Sequence, residues 1–114
     1  MDIDIRSLGE VKVIKLRGKL SLGEAVDRLR ADLYELMGNG ETRIVLDLSE
    51  VPMIDSSGIG LLVKVLTTSK QSGGSIKLLT PSKFVIQTLK MIGLLNLFDV
   101  FEDSQQAISS FGEA

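Results

Sequence analysis

The 114-residue chain contains no cysteine and no histidine. The first absence excludes disulfides and thiolate chemistry. The second removes Ser-His-Asp catalysis, the commonest general base and the commonest metal ligand. Aromatic residues make up only 4% of the chain, so Leu, Ile and Val have to build any core. Net charge is −2, from 13 Lys and Arg against 15 Asp and Glu. That balance leaves no basic footprint for direct nucleic-acid binding and no polybasic membrane patch. Apolar runs are short: Ile59–Val63 is far below the length needed for membrane insertion. The acidic start Met1-Asp2-Ile3-Asp4 does not look like a secretion signal, so a cytoplasmic protein is expected. What is present is 44% hydrophobic residues and 25% charged ones. That suits a single domain spanning 1–114.

Periodicity divides the chain into alternating elements. Asp2–Arg6 alternates with period 2, as an edge strand does, and Gly9-Glu10 can turn it into a second strand, Val11–Arg17, expected to pair with it antiparallel because the connection is so short. From Glu24 to Met37 the spacing of Val26, Leu29, Leu33 and Leu36 is helical. Glu24–Arg28 and Arg28–Asp32 stand at i,i+4 on that helix. Ile44–Leu48 is nearly continuous apolar sequence, as in a strand buried on both faces, and Ser49–Pro52 reads as a loop. A second helix runs from about Ser56 to Lys70, with an apolar arc (Ile59, Leu62, Val63, Leu66, and Leu61 with Val65 beside them) wider than one buried face requires. Ile76–Leu79 is a further strand. Thr80 as N-cap and Pro81 at the first helical position open the next helix. Phe98–Phe101 is a short last strand, and Asp103 or Ser104 caps a terminal helix with Ala107, Ile108 and Phe111 inward. The order ββαβαβαβα predicts an α/β domain: a mostly parallel central sheet with an antiparallel N-terminal strand, packed by about four helices.

One segment departs from plain structural patterning. Ile54-Asp55-Ser56-Ser57-Gly58-Ile59-Gly60 puts an acid, two hydroxyls and two glycines where a strand hands over to a helix. Unpaired N–H groups and a partial positive charge make a helix start favourable for anions. Several chemistries fail on spacing. There is no G-x-S-x-G nucleophile elbow, and the one Gly-Lys pair, Gly18-Lys19, is followed by Leu20, so no P-loop is present. Gly58-Ile59-Gly60 begins like a dinucleotide fingerprint, but Val63 stands at the third glycine. Asp47, near the end of a central strand, has the place of a phosphorylatable receiver aspartate, yet only Glu10, in a turn, lies near enough in sequence to join a metal-holding acid pair. Helix capping by Asp55 and Ser56, with Gly58 and Gly60 allowing close packing on the sheet, is the structural alternative, and both readings stay open on spacing alone.

Ile44-Val45-Leu46-Asp47-Leu48-Ser49-Glu50-Val51 followed by Met53-Ile54-Asp55-Ser56-Ser57-Gly58-Ile59-Gly60 resembles the STAS domain family, and within it the bacterial anti-sigma factor antagonists. The resemblance extends over essentially the whole chain. It implies a binding module and not an enzyme, with no cofactor or metal. The implied partner is an anti-sigma factor that is also a serine kinase. Binding frees a sigma factor, phosphorylation of the serine after the motif aspartate releases the antagonist, and a phosphatase resets it. That serine is Ser56 here, with Ser57 the neighbouring hydroxyl and not the main acceptor. Asp55, Ser56, Ser57, Gly58, Ile59 and Gly60 are the implied partner-binding residues. Ser21 joins them, standing where many members carry an acid after the second strand.

Two other functions compete. One is a non-switching scaffold subunit of a sensory or lipid-transport complex, motivated by the wide apolar arc of the second helix. The other is a small-molecule or nucleotide binder, motivated by glycines at a helix start.

Overall fold

A computed structural model describes residues 1–112. The chain forms β1 (Asp2–Leu8), β2 (Val11–Arg17), α1 (Glu24–Gly38), β3 (Arg43–Glu50), α2 (Ser56–Gln71), β4 (Ser75–Leu79), α3 (Lys83–Met91), β5 (Val100–Phe101) and α4 (Ser104–Ser109). The strands make one sheet in the order β1-β2-β3-β4-β5. β1 and β2 are antiparallel, with Ile5 opposite Ile14, and every later pair is parallel. The predicted α/β architecture is therefore the observed one.

Burial follows the sequence patterns. On one side of the sheet Ile14, Leu16, Ile44, Leu46, Leu48, Ile76 and Leu78 meet the apolar sides of α1, α2 and α3. Fully burying one such side chain stabilises the fold by roughly 1.5–3 kcal/mol. The wide arc of α2 is accounted for here. Leu61 and Val65 are buried along with Ile59, Leu62 and Leu66, because α2 packs on both α1 and β4. The opposite side of the sheet is covered by α4 and the turn after it, where Ala107 and Ile108 of the helix and Phe111 beyond it join Val11, Val45 and Leu79. Lys77 is buried on β4, where its Nζ lies 3.3 Å from Asp99 Oδ2 and 4.7 Å from the centre of the Phe111 ring. It ties the C-terminal segment to the sheet by charge and cation–π attraction.

Four local expectations are corrected. β3 continues through Ser49 and Glu50, because Glu50 is opposite Arg17 across a register shift and its carboxylate meets Lys15 Nζ at 3.0 Å and Arg17 Nε at 3.2 Å. Thr80 does not cap α3. Its N–H donates to Phe101 O at 2.7 Å as the sheet ends, its φ is 47°, and Ser82 is the cap. Phe98 and Asp99 are outside the last strand, since Leu95–Leu97 forms a single 3-10 turn that delivers the chain to β5 only at Val100. Arg28 on α1 makes neither i,i+4 pair. It donates to Met1 O, and the recorded pair on that helix is Arg30 with Asp27 at 3.1 Å.

Candidate functional site

The site forms where the chain leaves β3 and starts α2. Leu20, just past β2, pairs in parallel with Ile54: Leu20 N–H donates to Met53 O at 3.1 Å, and Asp55 N–H to Leu20 O at 3.2 Å. This one-residue extension of the sheet fixes Asp55 in an extended conformation at the N-cap of α2. Its carboxylate then divides its work. Oδ1 accepts from Gly58 N at 3.0 Å, which is the capping bond, and Oδ2 accepts from Leu22 N at 2.8 Å in the β2–α1 loop. These amides, Leu22 first and Gly58 second, hold the Asp55 carboxyl below its ordinary range, so it is an anion at neutral pH.

Gly58 has a structural reason to be glycine. A Cβ there would come within 2.7 Å of Leu20 O and 2.8 Å of Ile54 Cγ1. Gly60 has no such reason, since a Cβ built on it meets nothing within 4 Å and the residue is exposed. The two glycines that the motif places side by side thus do different things: one admits the neighbouring loop, the other bares helix backbone to the outside.

With the cap supplied by Asp55, the serines are spare. Ser56 is exposed and Ser57 half-exposed, and neither hydroxyl has a hydrogen-bond partner among the described residues. Ser56 stands on a ridge between two grooves. One, of about 680 Å³, runs between α2 and α3 and is mainly apolar, with Ile54, Ile59, Val63, Ile92 and Leu94 in its wall. The other, of about 260 Å³, lies toward α1 and brings Leu22, Arg30 and Lys64 to the same serine. Ser56, Gly60 and Lys64, one helical turn apart in succession, line both. Such an arrangement holds an exposed nucleophilic oxygen at the positive end of a helix, beside a fixed carboxylate, with partner-sized surface on either side.

The structure therefore brings Asp55, Ser56, Ser57, Gly58, Ile59 and Gly60 together at one corner, although Gly58 is buried and Ile59 shows only a sliver of surface, in the wall of the groove. Ser21 lies in the same corner, half-exposed between Leu20, which pairs with Ile54, and Leu22, which Asp55 holds. Asp47 and Glu10 are apart. Asp47 accepts from Ser49 N, while Glu10 pairs with Arg43 at the opposite end of β3. Leu22, Arg30 and Lys64 had no signal in the local sequence, because the Leu22–Asp55 contact spans 33 residues and depends on the Leu20–Ile54 pairing.

Comparison with known proteins identifies the fold and the family. The family model described as STAS domain matches residues 2–107. The putative anti-sigma factor antagonist BtrV of Bordetella bronchiseptica is 25% identical over 114 residues, covering 100% of this chain and 97% of the relative. A crystal structure of a putative anti-sigma factor antagonist from Thermotoga maritima superposes with a TM-score of 0.90 at 21% identity, over 97% of this chain and 95% of that one. The Bacillus cell fate determinant SpoIIAA in its phosphorylated form superposes with a TM-score of 0.76 at 25% identity, over 96% of this chain and 98% of that one.

Proposed function

The chain belongs to the STAS domain family, and from that premise we propose that it is an anti-sigma factor antagonist switched by phosphorylation of Ser56. Its partner is an anti-sigma factor with serine kinase activity, which it engages through the start of α2 and the β2–α1 loop. The observation that carries the reading is the spare hydroxyl. Asp55 already caps α2, so Ser56 stands exposed at the helix start with no hydrogen-bonding duty inside the fold. The names of the Bordetella and Thermotoga relatives and the phosphorylated form recorded for the Bacillus protein support it.

The chemistry of the switch is local. A phosphate on Ser56 adds about −1.5 to −2 charges at pH 7. The helix start tolerates it electrostatically, so the fold survives. Asp55, kept ionised by the Leu22 and Gly58 amides, is its immediate neighbour and cannot relieve the new charge by taking a proton at neutral pH. A partner surface fitted to a neutral hydroxyl then faces a bulky dianion beside a carboxylate. Releasing the partner by 100-fold requires about 2.7 kcal/mol, within the range of local charge and steric effects. A phosphatase restores the hydroxyl. The scaffold alternative loses most of its motive, because the arc of α2 that suggested it is core except at the half-buried Val63.

The test is incubation with the cognate kinase and ATP, read by mass spectrometry. One phosphate on Ser56 is expected, and a chain left unmodified at both Ser56 and Ser57 would end this reading. A Ser56→Asp variant is expected to keep its circular dichroism spectrum and to bind the partner about 100-fold more weakly.

A further inference from the structure

All 15 carboxylate side chains of the chain lie outside residues 56–98, a stretch that carries five lysines. That stretch builds α2, β4 and α3. Lys77 is buried against α4, which leaves Lys64, Lys70, Lys83 and Lys90 exposed on α2 and α3. None of these four makes an ion pair among the described residues, in a protein whose net charge is −2.

α3 and the turn that follows it also carry apolar surface. Phe84, Met91, Ile92 and Leu97 are four of the seven large apolar side chains left exposed among the described residues, Met91 at 86%. The groove between α2 and α3 continues past Val63 into a second hollow of about 400 Å³ bordered by Leu66, Lys70 and Leu97. Together the two run alongside α2, whose 16 residues span about 24 Å. The upper end is lined by Ser56 itself, and the one carboxylate on the wall, Asp55, is committed to two amides. An apolar trough of that length, bordered by the unpaired Lys64 and Lys70 and free of other acids, matches an amphipathic helix of about four turns with acidic residues at its margins. A bilayer surface is flatter than this trough, so the concavity favours a helix.

We propose that the α2–α3 groove docks an acidic amphipathic helix of the protein partner. The proposal rests on the reading of Ser56 as the switch and adds the chemistry of what it controls. Phosphate placed at the head of a cationic groove repels an acidic occupant as well as obstructing the corner, so one modification acts on the whole length of the contact.

The probe is a synthetic 16-residue helical peptide with a leucine stripe flanked by glutamates, compared with a twin carrying lysines instead and with phosphatidylserine vesicles. Binding is read by fluorescence anisotropy, and its location by amide chemical shifts. The acidic peptide is expected to bind at least about tenfold more tightly than its basic twin, with shifts centred on Val63, Ile92 and Leu97. The exposed-site variant Lys64→Glu/Lys70→Glu should weaken it by about tenfold, and Ile92→Asp should remove it, both with unchanged circular dichroism. Equal binding of the two peptides, shifts away from the groove, or indifference to both variants would overturn the proposal. Vesicle binding without peptide binding would overturn it in favour of a membrane. Peptide binding in a chain that no kinase phosphorylates would retain the groove and discard the switch, and the converse result would discard the groove alone.

Discussion

Helices α2 and α3 begin with the same capping bond and differ in what they leave free. In each, the side chain of the N-cap residue accepts from the amide three residues on: Asp55 from Gly58 at 3.0 Å, Ser82 from Val85 at 3.3 Å. At α3 everything polar is consumed. The Ser82 hydroxyl also donates to Val51 O at 3.0 Å, and the third helical residue, Val85, is fully buried in the core. At α2 the cap is a carboxylate with a second oxygen to spare, which reaches Leu22, and the third helical residue is a glycine against which Leu20 O is lodged. The next polar atoms, the hydroxyls of Ser56 and Ser57, remain unused. One helix start is a joint in the fold; the other is a joint that also holds a reactive group outward. A serine at a helix start is therefore informative about function only once something else is seen to do the capping.

The sharpest way to break that contrast is at Gly58. Gly58→Ala forces a methyl against the Leu20 carbonyl and Ile54 and is expected to cost about 1–3 kcal/mol, as overpacking does. Urea denaturation measures it, and a neutral result would mean that the β2–α1 loop is not wedged at the start of α2. Next in size is the exchange of serines. Ser82→Ala leaves Val51 O without its donor and α3 without its cap, for an expected loss of about 1–2 kcal/mol. Ser56→Ala touches no recorded bond and should stay within about 0.5 kcal/mol of the parent. Equal losses in the two variants would erase the distinction between the two helix starts.

A smaller effect of opposite sign is expected at Gly60. It occupies a helix interior with open space where its Cβ would be, so Gly60→Ala should stabilise the fold by about 0.5–1 kcal/mol. The same variant should weaken partner binding, because the new methyl stands on the ridge shared by both grooves. Stability and binding moving in opposite directions would mark Gly60 as a residue kept for contact. If both improved together, the ridge would not be part of the interface.

Much of this was legible in the sequence because it is local. The break from the apolar run of β3 into Asp55-Ser56-Ser57-Gly58 marked the start of α2 and the cap, and period-2 and period-3.6 patterns located the sheet and helices. What was not legible depends on pairing across long separations. The start of α3 was misplaced by two residues because Thr80 looks like a cap until β5 captures its amide. Glu50 read as loop because its partners, Lys15 and Arg17, are on β2. The motif presents Gly58 and Gly60 as equivalent, and only the Leu20 carbonyl separates them. The acid-free stretch from Ser56 to Phe98 was present in the sequence throughout, but it becomes meaningful only when the fold lays α2 and α3 side by side.

The smallest predicted effect isolates the charge of Asp55 from its shape. The Leu22 and Gly58 amides lower its pKa in the folded state, while in the unfolded chain it titrates near the ordinary value of about 4. Between those two values the unfolded state binds more protons, so stability rises with pH through that interval. The contribution is complete above about pH 4 and is lost as pH falls through the folded-state pKa. Asp55→Asn keeps an oxygen for the Gly58 amide and cannot ionise, so its stability curve should lack this part of the acid loss while running parallel to the parent at neutral pH. Glu50, also lowered, by Lys15 and then Arg17, is the same in both proteins and supplies an internal reference for the remaining acid loss. Urea titrations from pH 2 to 7 compare the slopes. Identical slopes would mean that the two amide bonds do not favour the carboxylate over the acid, and Asp55 would then cap α2 through its shape alone, its charge adding nothing to stability even though the carboxyl stays ionised at neutral pH.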